Sequence, residues 1–375
     1  MTENDTKPVL ASIENGLGLL LLNRPKALHS LDQEMCQLML EALLGWKDDA
    51  QVKAIWIAHL PETRGFCAGG DIRLLSESGR SDGKAAQGFF RLEYQLNHLL
   101  HSYEAQFGKP VIAVMDGITM GGGVGISVHG RYRVATENTV FAMPETGIGL
   151  FPDVGGGWFL PRLAGELGAW LAMTGARLKT ADCLKAGIAT HFTASEKLAD
   201  LRNDITAALS AISAGDGAAT LAAIDAVLPH DVAAAGEVKT LTSQTLAEID
   251  ELFAGDNAEA IEQRLAAANT EFALQQHADL KTKSPLTVKL ALKQIRRGAK
   301  MACFADNMVM EYRIGCRAVM HSEFHEGVRA VITDKDNAPQ WQHENLAQVG
   351  DDFIESYFMP LEGVDEWTPR PEVSD

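Results

Sequence analysis

The chain has 375 residues, 46% of them hydrophobic, enough to bury a large core and to build more than one structural unit. Its formal net charge of −17 repels a nucleic-acid backbone, and no apolar run reaches the length of a membrane span. A phosphate-bearing ligand would need a local cluster of positive groups to overcome that field.

Residues Met1 to Lys7 are polar and acidic, with no positive stretch ahead of an apolar one, which argues against a secretory signal. Strands are predicted at Val9–Glu14 and Leu17–Leu22, joined by the hairpin signal Asn15-Gly16. Ser30 followed by Gln33 reads as a capping box. The helix it opens places Met35, Leu38, Met39, Ala42, Leu43 and Trp46 on one face. Lys53–His59 and Val111–Met115 read as strands, Gly121–Gly130 as a glycine-rich turn feeding a helix, and Arg131–Thr136 as another strand. Alternation of this kind predicts a layered α/β core with site-forming loops at the strand ends.

Character changes near Thr193, dividing the chain into an α/β core (1–193), a helical insert (194–279) and a C-terminal helical region (280–375). The insert is rich in Ala, Asp and Glu and poor in β-branched runs. In the last region Ser284-Pro285 reads as a helix start, a further helix is predicted over Ala305–Met320, and the polar tail after Gly363 is predicted to fray. Cys36, Cys67, Cys183, Cys303 and Cys316 form no Cys-x-x-Cys pair and no zinc spacing. They predict a reduced, cytoplasmic protein without a structural metal.

Three glycine-rich segments stand out: Gly65–Asp71, Gly117–Gly125 and Gly155-Gly156-Gly157. Taken singly, each is explained by tight turns and close packing. Neither a dinucleotide fingerprint nor a Walker loop fits their spacing, which leaves backbone amides suited to an oxyanion hole. Glu145 and Asp153 lie among Phe, Met, Ile, Leu and Pro with almost no other charge nearby. Such surroundings desolvate a carboxylate and suit a general base or acid, although Asp153 could instead cap the turn that follows it. His29, His129 and His191 are isolated and read as packing or surface residues, Asp71 as an acid opening a helix, and Asp116 as a turn residue.

The combination of Phe66-Cys67-Ala68-Gly69-Gly70-Asp71, Met120-Gly121-Gly122-Gly123, Pro144-Glu145 and Phe151-Pro152-Asp153-Val154-Gly155-Gly156 resembles the crotonase superfamily, from Val9 to about Phe192. Phe324–Ala330, Asp334-Lys335-Asp336 and Pro339-Gln340-Trp341 resemble its 3-hydroxyisobutyryl-CoA hydrolase branch. The resemblance implies an α/β fold, a spiral of ββα units carrying the helical insert and C-terminal helical region. It implies hydrolysis of a short 3-hydroxyacyl-CoA thioester, 3-hydroxyisobutyryl-CoA or 3-hydroxypropionyl-CoA, to the free acid and CoA.

By motif it makes Gly70 and Gly122 the oxyanion donors and Glu145 and Asp153 the catalytic pair, with Glu93 in an Arg-x-Glu-Tyr context as a substrate-site carboxylate. Glu145 is left as nucleophile or base, and Asp153 as hydroxyl binder or proton donor. Arg24, Lys26, Ala27 and Leu28, with the Ala68 backbone, would hold the CoA nucleotide, Arg24 and Lys26 supplying positive charge. CoA enters only as part of the acyl-CoA substrate, with no separate cofactor, no metal, no nucleic acid and no membrane partner. A homo-oligomer is left open. One departure is informative: where family hydratases carry their first glutamate this chain has Gly125. The rival readings are an enoyl-CoA hydratase or isomerase using Glu145 alone, and a non-catalytic acyl-CoA-binding protein.

Overall fold

The computed structural model describes residues 7–61, 63–229 and 232–373, so residues 1–6, on which most of the leader reading rests, lie outside it. β1 (Val9–Glu14) and β2 (Leu17–Leu22) pair antiparallel around Asn15 and Gly16, both at positive φ as a tight hairpin requires. The chain then places strands alternately in two sheets. β3 (Ala54–His59), β5 (Val111–Met115), β7 (Tyr132–Ala135) and β10 (His191–Phe192) extend the first, in the order β1-β2-β3-β5-β7-β10. β4 (Gly65–Cys67), β6 (Ile118–Met120), β8 (Val140–Ala142) and β9 (Leu178–Lys179) form the second.

β3, β5 and β7 are thus each followed by a short strand that turns into the other sheet, and then by helical structure. α1 (Gln33–Trp46) precedes β3, α2 (Ile72–Gly79) and α3 (Lys84–Phe107) follow β4, and the short α4 (Gly122–Gly125) follows β6. This is the spiral of ββα turns that the motifs implied. β4, β6 and β8 are parallel neighbours, so their C-terminal ends, and the loops leaving them, stand side by side. That adjacency gathers three motifs separated by dozens of residues at one place.

The strands are apolar on both faces because the large sheet is buried on both. Leu17, Leu19, Trp56, Ile112 and Val134 pack against Leu201, Ile205, Leu209 and Ile224 from the helices Leu198–Ser210 and Gly217–Val227. On the other face the main core includes Met35, Met39 and Leu43 of α1 and Phe89, Tyr94 and Leu99 of α3.

Several local expectations are corrected. Asp32, not Ser30, caps α1, its carboxylate accepting from Met35 N at 2.9 Å, while Ser30 Oγ donates to the Ala27 carbonyl within the preceding turn. The helical part of the Gly121–Gly130 segment is only Gly122–Gly125. The predicted helix at Ala305–Met320 runs Phe304–Ala318. The tail does not fray where it is described: Trp367 is 1% exposed and its Nε1 donates to the Arg91 carbonyl of α3. Arg91 in turn donates to the carbonyls of Asp365 and Glu366, and Arg313 pairs with Glu366 at 2.7 Å, so the tail is strapped across α3. One buried indole outweighs the polar composition around it.

Candidate active site

The loop after β4 is pinned to the segment before α1. Leu31 N donates to the Gly69 carbonyl at 2.7 Å and Asp71 N to the Leu31 carbonyl at 2.8 Å. In such a parallel bridge Leu31 bonds the residues on either side of Gly70, which leaves the Gly70 N–H unbonded to Leu31, and Gly70 lines the cavity. After β6, Gly121 adopts φ 47° and ψ −122°, a conformation that demands glycine, and starts α4. Gly122 opens α4, so its N–H has no acceptor within the helix. Two amides therefore border one space.

Carboxylates meet that space from several directions. β8 ends at Ala142, and after Met143 and Pro144 Glu145 begins a 3-10 turn, Glu145–Ile148, beside Gly121: a Cβ on Gly121 would lie 3.1 Å from Glu145 Oε1. Glu93 projects from α3 onto the same turn, 2.7 Å from where a Cβ on Gly122 would be. Asp153 accepts a hydrogen bond from the Tyr94 hydroxyl at 2.9 Å. Its side chain does not cap the next turn, where Gly155 holds the cap position. Glu93 is 2% exposed and no surface carboxylate; Glu145 and Asp153 are each 5% exposed. All three, with Ala68, Gly70 and Gly122, line one cavity of about 540 Å³ whose apolar wall includes Leu75, Phe89, Phe90, Ile148 and Leu150.

Burial raises the proton affinity of the whole group. It holds Glu93 well above the usual carboxylate range, with the charges of Asp153, Glu311 and Glu145 adding to the effect. Burial and then Asp153 do the same to Glu145. Asp153 is pushed up to about 7 by burial, although the Tyr94 hydroxyl and its own backbone favour the charged form. Crowded acids in a low-dielectric cavity cannot all ionise, so the site keeps protons near neutrality.

A stability consequence follows. Because the folded pKa of Asp153 lies above its unfolded value of 3.8, the native state holds a proton that the unfolded chain releases. Stability is therefore lost as pH rises from about 4 through about 7. Asp153→Asn, which cannot ionise, should gain thermal midpoint relative to the parent as pH is raised from about 5 to about 8. Thermal denaturation across that range checks it; a pH-independent difference would mean that Asp153 does not titrate in this window.

The loop expected to meet the CoA nucleotide stands at the rim of the cavity. Arg24 is consumed internally, pairing with Asp71 at 3.0 Å and Asp32 at 3.4 Å and donating to the Ser30 carbonyl. Asp71 also caps α2. Lys26 is exposed, and neither it nor Arg24, Ala27 or Leu28 lines the cavity; the Leu28 carbonyl accepts from Ala68 N, tying the loop to the rim. The cations that do line the cavity are Arg177 and Lys283, and neither forms an ion pair among the described residues. Burial lowers the proton affinity of Lys283, which Asp279 partly offsets and Arg177 reinforces. Reading the sequence had missed both, along with Tyr94 and Glu311. Glu311 carried a signal: it falls on the apolar stripe Phe304, Met308, Gly315, where a carboxylate is out of place.

The geometry agrees with the comparisons. The family model described as enoyl-CoA hydratase/isomerase matches residues 17–358, far beyond the Val9–Phe192 stretch that carried the first resemblance. The 3-hydroxyisobutyryl-CoA hydrolase, mitochondrial, of Xenopus tropicalis is 44% identical over 92% of this chain and 86% of its own length. The protein of that name from Homo sapiens is 41% identical over 94% and 89%. Among solved structures, a carnitinyl-CoA dehydratase from Mycobacterium thermoresistibile superposes with a TM-score of 0.85 at 36% identity, covering 97% of this chain and 99% of its own. An enoyl-CoA hydratase from Rhodobacter sphaeroides 2.4.1 does so at 0.82 and 34%, covering 96% and 99%. The chain belongs to the enoyl-CoA hydratase/isomerase, or crotonase, family, in the branch of the 3-hydroxyisobutyryl-CoA hydrolases. The cytoplasmic location expected from the cysteines and the polar start is overturned, since these relatives are named as mitochondrial.

Proposed function

We propose that the protein hydrolyses the thioester of a short 3-hydroxyacyl-CoA, 3-hydroxyisobutyryl-CoA first and 3-hydroxypropionyl-CoA second, using no CoA beyond the one its substrate carries. The observation that carries this reading is Glu145 facing a turn with two outward amides, inside a branch whose relatives are named for that hydrolysis. The Gly70 and Gly122 N–H groups accept the developing oxyanion, each such donor stabilising it by about 3 kcal/mol. Glu145 takes a proton from water as the oxygen bonds to the carbonyl carbon. Its raised proton affinity makes it the better base. The carbon–sulfur bond then breaks and CoA leaves as the thiol, its proton supplied by Asp153 or, where Asp153 holds the substrate hydroxyl, returned by Glu145.

Arg177 and Lys283 are proposed to grip the anionic part of CoA in place of Arg24 and Lys26. Lys283→Met and Arg177→Met should each raise KM for CoA esters about tenfold, less so at high salt, while Lys26→Met leaves it unchanged. A KM that follows Lys26 instead would return the role to the loop.

The hydratase reading has one observation in its favour. Gly125 supplies no carboxylate, yet Glu93 stands against Gly122, so a second acid faces that turn besides the Glu145 on which the hydratase reading relied. The deciding experiment follows free thiol across a panel of acyl-CoAs while enoyl-CoA absorbance is recorded in parallel. Thiol release from 3-hydroxyisobutyryl-CoA should exceed hydration of methacrylyl-CoA or crotonyl-CoA; the reverse order makes this a hydratase.

A further inference from the structure

The turn that carries Asp153 holds a conformation its own residues disfavour. Val154 has φ 52°, the left-handed region in which a β-branched side chain is a steric outlier. One local bond closes the turn, Gly156 N donating to the Asp153 carbonyl at 2.8 Å, and groups from distant elements hold it on its other sides. His129 Nε2 lies 2.9 Å from the Val154 carbonyl, and Gln294 Nε2 donates to the Pro152 carbonyl at 2.7 Å. Glu311, from the helix Phe304–Ala318, accepts from Gly155 N at 2.8 Å with one carboxylate oxygen and from Gly157 N at 2.9 Å with the other. It also accepts from Asn307 Nδ2 and Gln294 Nε2.

Glu311 is fully buried, and burial, then Asp153, raise its proton affinity against the Gly155 and Gly157 N–H groups, so keeping an ionisable group there carries a desolvation cost. Such a cost calls for a compensating role. Glu311 does not line the catalytic cavity. Its two oxygens span the residues just after Val154, which is how a carboxylate clamps a turn that would otherwise relax. We propose that Glu311 is a positioning residue. By holding Gly155 and Gly157 it keeps Val154 left-handed, and Val154 in turn aims the Asp153 carboxylate into the cavity. This rests on Asp153 belonging to the catalytic group.

The test is a pair of substitutions in two backgrounds. Glu311→Gln keeps the shape but has one acceptor oxygen, so one glycine N–H then faces an amide NH₂. It should lower kcat about 100-fold with KM little changed, since a small misplacement of a catalytic group acts on turnover. Val154→Gly lets the turn adopt its conformation unaided, so in that background the same substitution should cost no more than about tenfold. An equal loss in both backgrounds, or a loss confined to KM, overturns the proposal. Should Glu311→Gln fail to fold, Gln294→Met, which removes the bond to Pro152 and one donor to Glu311, goes through the same two backgrounds with the same criteria. The underlying reading fails separately: if Asp153→Asn keeps full turnover, Asp153 is not catalytic whatever the paired result.

Discussion

Glu145→Gln should lower kcat for thioester hydrolysis by about 1,000-fold while CoA-ester binding survives, the scale of losing a positioned general base. The amide has nearly the shape of the acid but cannot take a proton. The surroundings of the group, buried in the 3-10 turn after β8 beside Gly121, set its chemistry. Because burial and Asp153 raise its proton affinity, the ionised base is the minor form at low pH. Turnover of the parent should therefore climb with pH well above the ordinary carboxylate range, and the residual turnover of the variant should lose that acid limb. Single-turnover thiol release, with binding measured by calorimetry on a non-hydrolysable ester, reads both quantities. Near-normal turnover from a folded variant would remove Glu145 from the chemistry. A single turnover in ¹⁸O-water that leaves label in the Glu145 carboxylate would make it a nucleophile rather than a base.

Gly125→Glu, which restores the glutamate that hydratases carry, should give no hydration and should also abolish hydrolysis. The sequence leaves room for the opposite result if the side chain fits, and it does not. A Cβ on Gly125 would lie 2.6 Å from Val154 Cβ and 2.8 Å from Asn97 Nδ2, contacts that force one of them to move. Val154 belongs to the Asp153 turn, so the clash is transmitted directly to a carboxylate of the site. Overpacking of this kind costs about 1–3 kcal/mol before any charge is buried, and an unpaired glutamate in the core adds to it. Enoyl-CoA absorbance, thiol release and thermal denaturation together decide. A folded variant that gains hydration would show that the site can be rebuilt as a two-glutamate hydratase.

What the sequence disclosed depends on how far each signal reaches along the chain. The Asn15-Gly16 hairpin and the Ser284-Pro285 helix start are local, written in a few adjacent residues, and could be read directly. The gathering of Gly70, Gly122 and Glu145 rests on β4, β6 and β8 lying side by side, which was legible only through the family's motifs, because no pattern within one strand names its neighbour. Tyr94, Glu311, Arg177 and Lys283 come from elements far apart in the chain and carry no shared motif. Arg24 misled for a related reason: a positive charge near a ligand loop looks free until Asp32 and Asp71 are seen to neutralise it. Ser30 was read as the cap of the first helix, and only the hydrogen bond from Met35 N shows that Asp32 holds that place.

The far wall of the cavity is formed by Val331, Ile332, Asn337 and Pro339, and the strap over α3 by Asp365 to Trp367. A ribosome delivers these pieces last. At 5–20 residues per second, roughly ten to forty seconds separate the appearance of Asp153 from that of Pro339. Without that wall the cavity that holds Glu93, Glu145 and Asp153 is open on one side. Burial is the largest cause of the raised proton affinity of these acids, so docking of the C-terminal segment adds to it. In refolding from denaturant, helix and strand signals should return before turnover does, with the lag set by this closure.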